Sequence, residues 1–310
     1  MKKILKSLLM LALACCMMVG CAFAEEPHIP EPIPAELLPQ MIKVTFPEGE
    51  DFVPAEKPIN NYLPNPAGFS EDGMRYHDDT IDVQAYMIRV YDTPCAVMFV
   101  QIADPDQFRT ELAKPYPQKA TMRIDTMSKQ VHSVASVNGD WFTYHNEGII
   151  WRNGEQLRNR PIPEDDGLVV DTNGDLHIMR PMVEEEYAKL EVPIMHAFAF
   201  GPALVRDGEV LEIIREVTFK QRMGIGQIAP LTYVFVAADG PDQPDSVGLS
   251  VPQLAQLMHD LGAHTAYNLD GGQSTSMMMY QTKINGQAPK TFRAIGDIIY
   301  FVTGIPGEAE

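Results

Sequence analysis

Tyr233-Val234-Phe235-Val236-Ala237-Ala238-Asp239-Gly240 and Thr265-Ala266-Tyr267-Asn268-Leu269-Asp270-Gly271-Gly272-Gln273-Ser274-Thr275 are two apolar runs, each ending in an aspartate followed by glycine. Both runs have the length and the β-branched and aromatic content of strands. Between them, Ser250-Val251-Pro252-Gln253 fits a capping box, in which the serine caps and the glutamine reaches back. Leu254, Leu257, Met258 and Leu261 follow at helical spacing, and Gly262 is a stop signal. Strand, helix, strand with polar residues just past both strands is a βαβ arrangement. It places Asp239 and Asp270 at one edge of a sheet when the two strands run parallel.

Working outward, the folded region begins near Tyr76. Ile81 to Val90 and Ala96 to Ile102 read as strands joined by the turn Tyr91-Asp92-Thr93-Pro94. Thr121 to Gln130 reads as a short helix before a strand over Val131 to Val137. Gly148 to Trp151, Gln156 to Arg158, Leu168 to Val170 and Leu176 to Met179 read as short strands, with Asn153-Gly154 and Asn173-Gly174 as hairpin turns. Asp171, Asn173 and Asp175 imitate the start of a calcium loop. Leu176 stands where that loop needs glycine and Met182 where it needs glutamate, so the hairpin is the better reading. Met277-Met278-Met279 reads as a buried strand.

Residues 1–24 carry Lys2, Lys3 and Lys6, an apolar stretch from Leu8 to Val19, and Ala22-Phe23-Ala24 before Glu25. This is the pattern of a secretory signal peptide, and its apolar run is short for a spanning helix. The mature chain is therefore expected to have no transmembrane segment and to be secreted or at the cell surface. A competing reading makes Cys21 a lipid-anchored cysteine, although Met18 suits that signal poorly. Three of the four cysteines (Cys15, Cys16 and Cys21) lie in this leader, which leaves Cys95 in an apolar run as a buried, inert thiol. Residues 25–75 are rich in proline and read as a linker or surface strap, followed by a domain over 76–310.

The 310 residues include 24 Lys+Arg against 42 Asp+Glu, a formal charge of −18, which becomes −21 once the three leader lysines are removed. A general nucleic-acid binder needs clustered cations, and so does docking to an anionic membrane face; both are disfavoured. His132, His177, His196, His259 and His264 show no metal-ligand spacing.

Four stretches concentrate glycine with polar side chains. They are Asn138-Gly139-Asp140-Trp141-Phe142, Gly201-Pro202-Ala203-Leu204 with Asp207-Gly208, Gln221-Arg222-Met223-Gly224-Ile225-Gly226, and the block from Asp270 to Thr275. Singly each is a turn signal. Their order and spacing over roughly Arg123 to Val302 resemble the phosphodiester glycosidase family, with Asp239-Gly240-Pro241 and Leu269 to Thr275 flanking the helix. The sequence departs from the family pattern at Asp140, Met223-Gly224, Pro241 and Gln273; at Pro241 the family carries an arginine. The resemblance and the strand–helix–strand pattern together imply an α/β fold of the mixed α+β kind, with mixed sheets flanked by helices. They imply an exported hydrolase acting on a glycosyl-1-phosphodiester in a surface or extracellular glycan, such as an exopolysaccharide. A non-catalytic binder of anionic glycans on the same fold is the alternative.

Cleaving such a bond requires phosphate charge to be held, an oxocarbenium-like centre to be stabilised, and water or a carboxylate to reach the anomeric carbon. Asp270 is the first choice for nucleophile, base or cation stabiliser, and Asp239 the second. Asn138 can bond a sugar hydroxyl or orient a carboxylate, or can simply make an Asn-Gly turn. Arg222 is the expected phosphate clamp, its alternative being an ion pair. Gly271, Gly272, Ser274 and Thr275 can aim backbone N–H groups and hydroxyls at an anion, or form a plain tight turn. Trp141 can serve as a platform for a sugar ring or pack in the core. Carboxylates beside phosphate are also a setting for Ca²⁺ or Mg²⁺.

Overall fold

The computed structural model describes residues 30–47, 60–213, 218–286 and 291–306, so the leader and Cys21 lie outside the described residues. The main sheet has eight strands in the order β1 (Arg75–His77), β2 (Ile81–Val90), β3 (Thr93–Ile102), β15 (Thr232–Ala238), β14 (Arg222–Ala229), β16 (Thr265–Leu269), β12 (Ala203–Arg206) and β13 (Glu209–Val210). A second sheet runs β10 (Leu176–Met179), β9 (Gly167–Asp171), β11 (Ile194–Phe198), β7 (Gly148–Arg152) and β8 (Glu155–Arg160). A third runs β18 (Thr282–Lys283), β17 (Met277–Met279), β6 (Ala135–Asn138), β20 (Asp297–Phe301) and β4 (Phe108–Leu112). A short ribbon pairs β19 (Ala294–Ile295) with β5 (Met122–Arg123). The helices are α1 (Ile124–Gln130), α2 (Glu184–Tyr187) and α3 (Val251–Asp260).

The expectation of helices flanking mixed sheets needs correction. The fold is mostly β, at 40% strand against 13% helix, and neighbouring strands in these sheets pair antiparallel. The strand–helix–strand unit exists in a split form. β15 and β16 both pair antiparallel with β14, so they run the same way with β14 wedged between them. The register sets Arg222 opposite Ala238 and Met223 opposite Leu269, which brings the starts and ends that bear Gln221, Asp239 and Asp270 to one edge.

Alternation along the central strands explains the layers. Met98, Phe235 and Ala237 face a core shared with Val137, Met277 and Phe301 of the third sheet and Leu168 and Phe198 of the second. Val97, Val234 and Val236 face the other way, onto Leu254, Leu257 and Met258 of α3. α3 carries the capping box that the sequence announces, with Ser250 accepting from the Gln253 N–H and Gln253 Oε1 accepting from the Ser250 N–H. Glycine lets the helix approach: a Cβ at Gly224 would lie 2.9 Å from Met258 Sδ, and one at Gly226 2.8 Å from Met258 Cε.

Ile33 N–H donates to Asp260 at 2.7 Å and Ile42 N–H to Gln84 at 2.9 Å, so this proline-rich stretch lies across α3 and β2. The turn at Asn153-Gly154 has φ of 49° and 81°, and Asp171 Oδ1 accepts from the N–H groups of Asn173 and Asp175, as a hairpin turn requires. Cys95 is buried and unbridged, and burial pushes its thiol pKa up. Among the described residues no helix is long and apolar enough to cross a membrane.

His196 on β11 is fully buried between Phe108 and Phe198, with Nδ1 accepting from the Asn153 N–H at 3.2 Å. Nε2 lies 3.3 Å from the Phe108 carbonyl, so it carries the ring proton of a neutral imidazole. Burial, aided by Arg152, drives its pKa down to about 3. The unfolded chain therefore binds a proton at His196 below about pH 6.5 that the folded chain refuses. This contribution is complete above pH 6.5 and is lost as pH falls towards 3, reaching about 2 kcal/mol at pH 5. In chemical denaturation, the stability gap between wild type and His196→Gln should shrink by about that amount between pH 7 and pH 5.

Candidate active site

At the shared edge the chain leaves β16 through Asp270 and turns at once. Gly271 is required by close approach, because a Cβ there would lie 2.7 Å from the Gln221 carbonyl oxygen; Gly272 is required by its φ of 60°. The turn closes on itself: Gly272 N–H donates to the Gln221 carbonyl at 3.0 Å, Ser274 N–H to Gly271 at 3.2 Å and Thr275 N–H to Gly272 at 3.1 Å. Those three backbone donors face carbonyls, not the expected anion. The Ser274 hydroxyl and the Gly271 N–H instead act on the Asp270 carboxyl, each favouring its ionised form.

Asn138, at the end of β6, holds this turn from both sides. Its Nδ2 donates to the Asp270 carbonyl at 2.8 Å and to the Gly139 carbonyl at 3.1 Å, while its Oδ1 accepts from the Ser276 N–H at 3.0 Å. Its side chain is committed to backbone and positions the loop. Arg222 is likewise engaged by backbone. Its Nε donates to the Leu249 carbonyl at 3.1 Å and its Nη2 to the Thr218 carbonyl at 2.7 Å, and it is absent from the walls of the cavity next to this edge. The buried start of β14 points the guanidinium into the protein fabric.

That cavity has a volume of about 460 Å³ and is lined by Gln221, Asp239, Asp242, Gln243, Gly272, Gln273, Thr275, Lys283, Asn285, Gly286, Thr291, Phe292 and Arg293. Asp239 Oδ1 accepts from the Gly286 N–H at 2.9 Å. The cations come from two places: Lys283 on β18 is mostly buried and donates to the Thr291 carbonyl at 2.9 Å, whereas Arg293, just before β19, is exposed. The Thr275 hydroxyl is buried without a protein partner. Asn285 ties the wall together, with Oδ1 on the Met277 N–H and Nδ2 on the Thr275 carbonyl. Lys283, Asn285 and Arg293 are residues that sequence reasoning misses; the polar Lys283-to-Gly286 hairpin after a buried methionine strand is their only local signal. Trp141 is not in the cavity wall. It is half-buried in a loop cluster with Tyr144 at 5.4 Å and His145 at 4.6 Å between ring centroids, and the Tyr144 ring in turn lies 5.9 Å from the Arg293 guanidinium.

Asp270 lies beside the cavity. Burial pushes its pKa up to about 6, against the pull of the Ser274 hydroxyl and Arg293, and the Asp140 charge adds to the rise. Behind it is a buried ion cluster. Arg152 Nη2 meets Asp140 Oδ1 and Asp297 Oδ2, each at 2.8 Å, its Nε meets Asp297 at 2.9 Å, and its Nη1 donates to the Ala197 carbonyl at 2.6 Å. The Phe198 and Phe142 rings flank the guanidinium at 4.2 and 5.2 Å. Among the described residues no group of three or more His, Cys, Asp or Glu side chains is arranged to hold a metal ion.

With the fold and this edge described, comparison supplies the class. The model of the phosphodiester glycosidase family matches residues 132–302, and the chain belongs to that family. The catalytic domain of zebrafish N-acetylglucosamine-1-phosphodiester alpha-N-acetylglucosaminidase, auto-inhibited by its pro-peptide, superposes with a TM-score of 0.58 at 16% identity, covering 78% of this chain and 87% of that one. A hypothetical protein from Synechocystis has a TM-score of 0.55 at 14% identity, covering 73% of this chain and 62% of its own. These two likenesses establish the fold alone. No curated protein sequence matches the chain.

The two arginines should separate by experiment. Arg222→Met should cost about 1–3 kcal/mol in denaturant melts, because it strips donors from two carbonyls, one of them buried with it. Arg293→Ala, at an exposed position, should stay within about 0.5 kcal/mol of wild type while weakening retention of inorganic phosphate in a calorimetric titration.

Proposed function

We propose that this chain is an exported hydrolase that cleaves a glycosyl-1-phosphodiester in a surface or extracellular glycan. The observation that carries this reading is the cavity at the strand edge, in which the Asp239 carboxylate shares one wall system with the Lys283 and Arg293 cations and the unpartnered Thr275 hydroxyl. Membership of the phosphodiester glycosidase family supports the same chemistry. The leader over residues 1–24 supports export.

In this reading Lys283 and Arg293 take the phosphate oxygens, replacing the cation that the family pattern has at Pro241. Asp239 faces the anomeric carbon. Asp270, with its pKa raised to about 6, is the proton donor. The glycosidic C–O bond breaks with its electron pair going to the phosphate oxygen, which takes the proton of Asp270; the anomeric carbon bonds either to a water oxygen whose proton passes to the Asp239 carboxylate, or to the Asp239 carboxylate itself, which water then displaces, returning a proton to Asp270. Asp239 and Asp270 issue from parallel strands separated by β14, which spaces the two carboxylates across the sheet edge.

Purified protein incubated with an N-acetylglucosamine 1-phosphodiester, and with diesters of other hexoses, should release free sugar and a phosphomonoester. The anomer released, read by NMR, assigns a retaining or inverting route. Asp239→Asn should lower kcat by at least about 100-fold, and Lys283→Met or Arg293→Ala should each raise KM by roughly 10-fold. A donor role for Asp270 makes kcat/KM fall as pH rises through about 6. Dialysis against a chelator tests for Ca²⁺ or Mg²⁺. Retention of glycan phosphodiesters with no sugar released from any of them would establish the binder in place of the enzyme.

A further inference from the structure

The loop from β6 to β7 runs from buried Asn138 to exposed Tyr144 and His145, and it gathers cations in a chain whose formal charge is −18. Tyr144 is 49% exposed, and its ring lies 5.9 Å from the guanidinium of Arg293, a residue of the cavity wall. Trp141 backs that ring at 5.4 Å, and His145 packs on Trp141 at 4.6 Å. The Tyr144 N–H donates to the Trp141 carbonyl at 3.1 Å, so a turn fixes the aromatic cluster. At Asn146 the loop meets a second cation, Lys119, whose Nζ donates to Oδ1 at 2.5 Å.

A third cation holds the loop from within. Arg158 on β8 donates through Nη1 to the Phe142 carbonyl at 3.0 Å and to the His145 carbonyl at 2.7 Å. Its Nε and Nη2 are buried with no hydrogen-bond partner among the described residues. A guanidinium so placed keeps a charge that nothing at contact distance neutralises, a costly arrangement unless an anion comes to it. Strand alternation puts Arg160 on the same face, at the register position opposite Gly148 where the loop ends. Asn159 between them points the other way, to Glu184 at 2.8 Å, so that acid lies on the opposite face. Among the described residues Lys119, Arg158, Arg160 and Arg293 make no ion pair. Against these four cations the loop has Glu147, while Asp140 at its base is taken by Arg152.

An exposed aromatic face bordered by unpaired cations suits a ligand that alternates sugar rings with negative charge. A neutral glycan leaves the cations unused, and a bare polyanion leaves the rings unused. We propose that the 141–147 loop and the cations around it form a second subsite, which holds the next phosphate-bearing repeat of a polyanionic glycan while the first diester occupies the cavity. The Arg293–Tyr144 contact joins the two places, so one chain can lie across both. This subsite rests on the proposed function for the identity of the diester in the cavity. As a binding surface it requires no turnover. It makes the preferred substrate a polymer of phosphodiester-linked sugars, not a glycan with one isolated phosphate.

The test compares affinities of the full chain for end-labelled N-acetylglucosamine 1-phosphate chains of one and three repeats. A third probe carries one diester extended by uncharged N-acetylglucosamine units. Wild type is measured beside Asp239→Asn, which keeps the probes intact. Three charged repeats should bind at least about 10-fold tighter than one, beyond the roughly threefold that repetition alone gives. The gain should shrink as salt is raised, and the uncharged extension should not reproduce it. Tyr144→Ala and Lys119→Ala, both at exposed positions, should each cut the gain to about threefold or less. Equal affinity for long and short chains, an equal gain from the uncharged extension, or a gain that survives both substitutions overturns the proposal. If the gain depends on Tyr144 and Lys119 while wild type releases no sugar, the subsite stands and the hydrolase reading fails. If sugar is released and length brings no gain, the subsite alone fails.

Discussion

β14 is the wedge on which the site depends. Two strands that run the same way cannot be hydrogen-bonded neighbours here, because an antiparallel strand fills the space between them and satisfies both inner edges. Once that register is set, the start of β14 and the ends of β15 and β16 must share one edge, and Gln221, Asp239 and Asp270 converge without further instruction. The wedge has a steric condition: Gly224 and Gly226 must stay bare so that Met258 on α3 can reach the strand. The Gly-Gly turn after Asp270 meets the Gln221 carbonyl in the same way. Packing of α3 and placement of the carboxylates are therefore two outcomes of one pairing.

A strand this deeply buried also decides what Arg222 can do. Its guanidinium lies inside, where unpaired donors are costly, and it is drawn to backbone carbonyls of a neighbouring loop. In the proposed reading, the positive charge for a phosphate comes instead from Lys283 and Arg293 in the cavity wall. The whole chain is strongly acidic, with a formal charge of −18, so its general field opposes a phosphodiester. In that reading attraction is local, acting at contact distance between Lys283, Arg293 and the phosphate oxygens.

Local signals made much of this legible in the sequence. The capping box of α3, the Asn153-Gly154 turn, the paired strands of the first hairpin and the two aspartates at strand ends all rest on interactions between residues close in the chain. What stayed hidden is non-local. The insertion of β14 between β15 and β16 leaves no mark in either strand, so the expected βαβ unit was right in direction and wrong in adjacency. The side-chain direction of Arg222 and the self-closed N–H groups of the Asp270 turn depend on that insertion. Arg152 meets Asp297 across 145 residues, and nothing near either one announces the other.

Under the proposed reading, cations at Lys283 and Arg293 in place of one at Pro241 change more than an address. A guanidinium at a strand end would be fixed by the sheet and would offer a rigid fork. Lys283 and Arg293 differ from that and from each other. Lys283 is tethered to the Thr291 carbonyl and lies 5.7 Å from the Phe292 ring centroid, so it presents a point charge in a fixed place. Arg293 is exposed and can extend or withdraw. A phosphate held by one fixed charge and one movable fork is constrained less in angle than one gripped by a strand-end arginine. Under the same reading, the glycan beyond the phosphate would be selected by shape and stacking along the Arg293 side, where Tyr144 and Trp141 pack against each other. In the proposed reading the departure at Pro241 shifts discrimination from the phosphate to the groups on either side of it.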